Sequence, residues 1–112
     1  VGLIRARFIE LLLQSDKRLS DKGYLLGVVS IFHALINVDL AFVFETLALS
    51  TELQDALMDH KGKLGECFAL CLRVENNDFI GIKDSQEKLN LDETFIMNCY
   101  SQALAFADSS LT

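Results

Sequence analysis

Gly23-Tyr24-Leu25-Leu26-Gly27-Val28-Val29-Ser30-Ile31-Phe32-His33-Ala34-Leu35-Ile36 is the stretch whose reading decides the fold. With Asn37 it forms the longest nearly uncharged run of the chain. It falls short of the roughly 20 apolar residues that a bilayer demands, and it carries His33 and Asn37. It therefore reads as a buried helix. Tyr24, Leu25, Leu26, Val28, Val29, Ile31, Phe32, Leu35 and Ile36 put apolar groups almost all round a 3.6-residue period, the pattern of a central helix packed on several sides. Gly23 and Gly27 share one face and leave a smooth strip where another helix can approach closely. Ser20 and Asp21 supply N-caps, so the helix is predicted to start there and run to about Ile36.

Upstream, Leu3 to Gln14 is predicted as a first helix, with Ile4, Phe8, Leu11 and Leu12 on one face. The polar stretch Ser15-Asp16-Lys17-Arg18 ends it. Downstream, Asp39 can cap a short helix through Leu47, and Ser50 another to about His60, with Leu53 and Leu57 inward and Gly62 at its C-terminal end. Lys63 to Asn76 is a fifth, carrying Leu64, Cys67, Phe68, Cys71 and Leu72 on one side. Residues 79–89 read as loop or short helix, since a strand at Phe79-Ile80-Gly81-Ile82 would have no second strand to pair with. Asn90 and Glu93 have the spacing of a capping box for a last helix from Asp92 to about Asp108, with Phe95, Ile96, Cys99, Ala103 and Phe106 facing inward. About six helices with short connections predict an all-α, orthogonal or bundle-like fold.

The 112 residues fit one domain or a piece of one. No disulfide or metal staple is needed at this length. A hydrophobic content of 51% and a mean hydropathy of +0.30 are high for a small free-standing domain. Either the core is unusually apolar or part of the surface is covered by something outside the chain, and the second reading is favoured. The start at Val1 fits an excised piece of a longer protein. There is no proline, and there is no low-complexity run or internal repeat.

The formal net charge is −6, and the ten basic residues are scattered from Arg5 to Lys88 with no stripe and no interleaved aromatics. Nucleic-acid binding rests on Lys and Arg neutralising phosphates, and anionic membranes attract the same groups. Neither partner is expected. Three cysteines close no disulfide framework, and Val1 to Gln14 has no cationic n-region or small-residue cleavage site, so a reducing, cytoplasmic setting is expected.

The chemistry-bearing residues are few. His33 lies among apolar neighbours as a structural histidine, and His60 stands at a helix end, where a cation suits the dipole. Asp59-His60 is in the wrong order for a His-Asp metal doublet and has no further ligands. Cys67 and Cys71 sit one helical turn apart and, like Cys99, read as small buried hydrophobes. Asp55 shares a helix face with Asp59 and with Glu52, as surface charges. No phosphate loop, dinucleotide fingerprint or nucleophile elbow occurs. No catalytic, cofactor-binding or metal-ligating residue is expected, and no enzyme activity.

Several segments nonetheless form a familiar series. They are Arg5-Ala6-Arg7-Phe8-Ile9-Glu10-Leu11-Leu12; Gly23-Tyr24-Leu25-Leu26-Gly27-Val28-Val29-Ser30 with Ala34-Leu35; Ala56-Leu57-Met58 with Gly62-Lys63-Leu64-Gly65; Glu75-Asn76-Asn77-Asp78-Phe79; and Tyr100-Ser101-Gln102-Ala103-Leu104-Ala105-Phe106-Ala107. In this order they resemble the C-terminal half of the HDOD domain of bacterial EAL–HDOD signal-transduction proteins, over nearly the whole of residues 1–112. In Glu75 to Phe79, Asn stands where that family's Glu-x-Gly-Asp-Trp stretch has Gly, and Phe where it has Trp. The resemblance implies an HD-like orthogonal helical bundle, present here as a partial domain. HD-type metal phosphohydrolases would carry Gly-Leu-Leu-His-Asp on the second helix; matched to Gly27-Val28-Val29, the His and Asp positions are Ser30 and Ile31, a degenerate pair. His33 lies about 60° short of a full helical turn from Ser30 and does not restore the site.

The resemblance also implies a preceding EAL domain, related to cyclic-di-GMP phosphodiesterases, and a first half of the HDOD domain between. The expected function is a non-catalytic output or protein-interaction module of a bacterial signalling protein. Its partner would be another protein or preceding segments of its own parent chain, with homodimerisation through an exposed apolar face a further outcome to test. The alternatives are a purely structural helical segment that stabilises its parent and, behind it, a metal-dependent HD-type phosphohydrolase.

Overall fold

The computed structural model describes residues 2–36, 42, 45 and 48–111, and of residues 2, 32–36, 110 and 111 only the backbone. Among them every regular element is helical: α1 (Gly2–Leu12), α2 (Lys17–Ile36), α3 (Thr51–Asp59), α4 (Gly62–Glu75), α5 (Phe79–Leu89) and α6 (Glu93–Leu111). The chain is all-α, as its periodicity predicts. The helix expected from Asp39 to Leu47 lies outside the described residues, apart from Phe42 and Glu45, which are helical and exposed.

Two of these helices start at other cap residues than those expected. Asp16, and not Ser20 or Asp21, opens α2: its Oδ1 accepts from the amides of Arg18 and Leu19 at 3.1 and 3.3 Å. The Ser20 hydroxyl instead donates to the Glu10 carbonyl at 2.9 Å, a buried tie back to α1. Asn90 does not cap α6. It ends α5 in the left-handed conformation (φ 54°), and Asp92 opens α6 by accepting from the Thr94 amide at 3.2 Å. Ser50 caps α3 as expected, through the Leu53 amide. At the far end of α3 it is His60 that takes the left-handed turn, while Gly62, with φ +73°, opens α4. Residues 79–89 resolve as a helix because Asp78 caps it, its carboxylate accepting from the Gly81 amide at 2.9 Å.

α1 lies between α2 and α6, and α4 packs against α1, α2, α3 and α5. The seam between α1 and α2 is a close one, and two glycines make it. A Cβ on Gly27 would stand 2.4 Å from the Ala6 Cα and 2.5 Å from its N, backbone atoms with no freedom to move aside. On Gly23 it would meet Ile9 at 2.8 Å. The smooth strip read from the sequence is thus the floor on which α1 rests.

The core joins Phe8, Ile9 and Leu13 near α1, Leu26 of α2, Leu53 of α3, Leu64 to Cys71 of α4, and Ile96, Cys99 and Ala103 of α6. Each fully buried large side chain contributes roughly 1.5–3 kcal/mol. Among the described side chains the helix closed on most sides is α4: Leu64, Gly65, Cys67, Phe68, Ala69, Leu70 and Cys71 are all buried. In α2 the buried described residues are Leu19, Ser20, Gly23, Leu26, Gly27, Val29 and Ser30, a single stripe for the most part, whereas Tyr24, Val28 and Ile31 are half-buried and Leu25 is exposed. Among the described residues no helix is long and apolar enough to cross a membrane.

Candidate functional site

Ser30 of α2 lies at the meeting point of α1, α2 and α4, and Ile31 beside it is half-buried. Ser30 is buried, and its hydroxyl donates to the Gly27 carbonyl one turn back at 2.8 Å. The same oxygen accepts from Arg5 Nη1 at 3.2 Å. Arg5 in turn grips Glu75 with two parallel bonds, Nε to Oε2 at 2.7 Å and Nη2 to Oε1 at 2.8 Å. This fork-on-fork geometry is the strong form of a charge-assisted hydrogen bond. The Cys71 thiol donates to Glu75 Oε2 at 3.5 Å and closes the cluster. The bond to Glu75 raises the Arg5 pKa, against the opposing effect of burial, so the guanidinium is fixed in its charged form.

Tyr100 of α6 joins the same neighbourhood. Its ring meets Phe8 edge-on at 5.3 Å. Its hydroxyl pKa is raised, first by burial and then by the Glu75 charge. Arg5, Ser30, Glu75 and Tyr100 come from four of the segments that carry the HDOD resemblance. A fifth, around Gly65, makes its own close approach: a Cβ there would meet the His60 carbonyl carbon at 2.2 Å.

The chemistry available to this cluster is limited by how it is paired. Both Glu75 oxygens are engaged by Arg5, the Ser30 hydroxyl is bonded on both sides, and a fixed positive charge occupies the centre. A divalent cation placed there would have to displace the guanidinium before meeting a free ligand. Ile31 offers no ligand atom. Among the described residues no group of three or more His, Cys, Asp or Glu side chains could hold a metal ion. Burial pushes the Cys67 thiol up to about 12 and the Cys71 thiol up as well, with the Glu75 charge adding to the latter. Both are protonated thiols at neutral pH, neither nucleophiles nor ready ligands.

The histidines stand apart from this cluster. The His33 side chain lies outside what the structure describes. His60 is exposed, caps α3 through its backbone N–H to the Ala56 carbonyl, and sets its ring edge-on to Phe68 at 5.4 Å. Asp59 is exposed on α3 and Asp55 half-buried.

Two features were not foreseen from the sequence. One is a second polar knot between α4 and α5, in which Arg73 donates to the Ser85 hydroxyl at 2.6 Å and to the Gly81 carbonyl at 3.0 Å. Ser85, fully buried, donates to Glu66 at 3.1 Å. Arg73 and Glu66 share α4, and the turn at Asn76-Asn77-Asp78 folds α5 back so that Ser85 reaches both. The other is a pair of neighbouring apolar side chains at the start of α5, Phe79 and Ile80, which are 74% and 86% exposed. Near the opposite end of α5, a groove of about 510 Å³ is lined by His60, Gly62, Lys63, Glu66, Lys88 and Leu89.

No family model matches the chain, and no solved structure matches it. Among curated proteins it is similar to the uncharacterized protein YuxH of Bacillus subtilis (strain 168), 27% identical over 105 residues that cover 93% of this chain and 25% of the relative. The chain thus spans about a quarter of the length of the curated relative it matches.

Proposed function

We propose that this chain is a non-catalytic, protein-contacting output module: the C-terminal helical part of an HDOD-like domain in a bacterial, cytoplasmic signalling protein that also carries an EAL domain. The observation that carries the reading is the Arg5–Ser30–Glu75 cluster. Where an HD-type hydrolase would hold its metal ligands, a guanidinium bound to a carboxylate supplies structural cross-linking of three helices. The resemblance of the quoted segments supports the family, and the similarity to one quarter of a longer bacterial protein agrees with a module read as part of a larger chain. Exposed apolar groups, Phe79 and Ile80 foremost, supply the contact surface. Among the described residues these are the most exposed large apolar side chains, and contiguous exposed apolar surface is what marks a contact site.

The test uses the full-length parent protein. Elemental analysis after purification without chelators is expected to find no stoichiometric transition metal. In-cell crosslinking is expected to capture a protein neighbour, or another segment of the same chain, through the start of α5. Phe79→Asp with Ile80→Asp is expected to remove that crosslink while leaving the melting temperature within a few degrees. A stoichiometric metal lost on substitution of Ser30 or His33 would restore the hydrolase reading. Loss of solubility alone on deletion of residues 1–112, with signalling intact, would leave a purely structural segment.

A further inference from the structure

We draw no further inference here: the strongest candidate, the groove between His60, Lys63 and Lys88 at the N-terminus of α4, carries nothing, because Lys88 is already paired with Asp84 at 3.1 Å and no buried unpaired polar group among the described residues there points to a ligand.

Discussion

α2 and α4 both run through the middle of the molecule, but they are held in different ways. α2 meets its neighbours largely along one seam, a stripe of small and branched residues laid against α1, with Leu25 left in solvent. α4 is enclosed by four other helices, and three of its four charged residues are fastened: Glu66 and Arg73 to Ser85 and α5, Glu75 to Arg5 of α1. Apolar composition alone does not decide which helix becomes central. A helix is closed on many sides when the polar groups it carries inward find partners there, since an unpaired buried charge costs several kcal/mol.

Truncating a core residue on α4 and an exposed one on α2 gives the widest separation. Leu70→Ala is expected to cost about 2–5 kcal/mol, because the residue is fully buried and the cavity cannot collapse against packed helices. Leu25→Ala is expected to cost less than about 1 kcal/mol, since its side chain is 40% exposed. Equilibrium denaturation reads both. Equal costs would mean that α2 is buried as deeply as α4, against the contrast drawn between them.

The seam itself is probed by adding one methyl group. Gly27→Ala puts a carbon 2.4 Å from the Ala6 Cα, so α1 and α2 must separate along their length, at a cost of roughly 1–3 kcal/mol. The denaturation midpoint should fall accordingly. A neutral outcome would show that α1 is free to slide, and that the glycine pair is not what holds it.

These two helices also show what can be read from residues in order. The Gly23 and Gly27 pair announced a close crossing because both glycines lie on one helix face, which is a property of spacing alone. Two caps were misplaced because Asp16, Ser20 and Asp21, like Asn90 and Asp92, are all competent cap residues, and only tertiary packing selects among them. Ser20 was taken up by the Glu10 carbonyl, and Asn90 by the left-handed end of α5. The candidate site was half visible. Ser30 and Ile31 came from the resemblance, matched through Gly27-Val28-Val29, whereas Arg5 and Glu75 lie 70 residues apart, and no local pattern pairs them. For the same reason only the apolar side of α4 was legible: three of its charges, Glu66, Arg73 and Glu75, find their partners on neighbouring elements.

Breaking the Arg5–Glu75 fork tests whether α4 depends on those bonds. Arg5→Met leaves the Glu75 carboxylate largely shielded and without its cation, and is expected to cost about 1.5–3 kcal/mol, the range for hydrogen bonds to charged groups. Adding Glu75→Gln should recover part of the loss, because the stranded charge is then gone. The double-mutant cycle reads the coupling directly. Additive losses would mean that the two side chains do not act as a pair, and the structural role assigned to the cluster would fall with them.

The buried thiols of α4 add a pH dependence in which α2, a helix without cysteine, has no share. The Cys67 thiol ordinarily ionises near 9.0 and is pushed up to about 12 by burial. Below pH 9 the thiol is protonated both folded and unfolded, and its contribution is intact. Between pH 9 and 12 the unfolded chain releases the proton while the folded chain holds it, so stability falls as pH rises, by about 1.4 kcal/mol per pH unit for each such thiol. Cys71 adds in the same direction, and so does Tyr100 above its ordinary range. Cys67→Ala separates the contributions. Whatever the substitution costs at pH 7, the slope of stability against pH above 9 should become shallower by one thiol's share, because one proton fewer is at stake. The described part of α2 carries no cysteine, and its substitution Leu25→Ala should leave that slope unchanged. An unaltered slope in Cys67→Ala would mean that the thiol already reaches solvent in the folded protein, and that α4 is open where the structure has it closed.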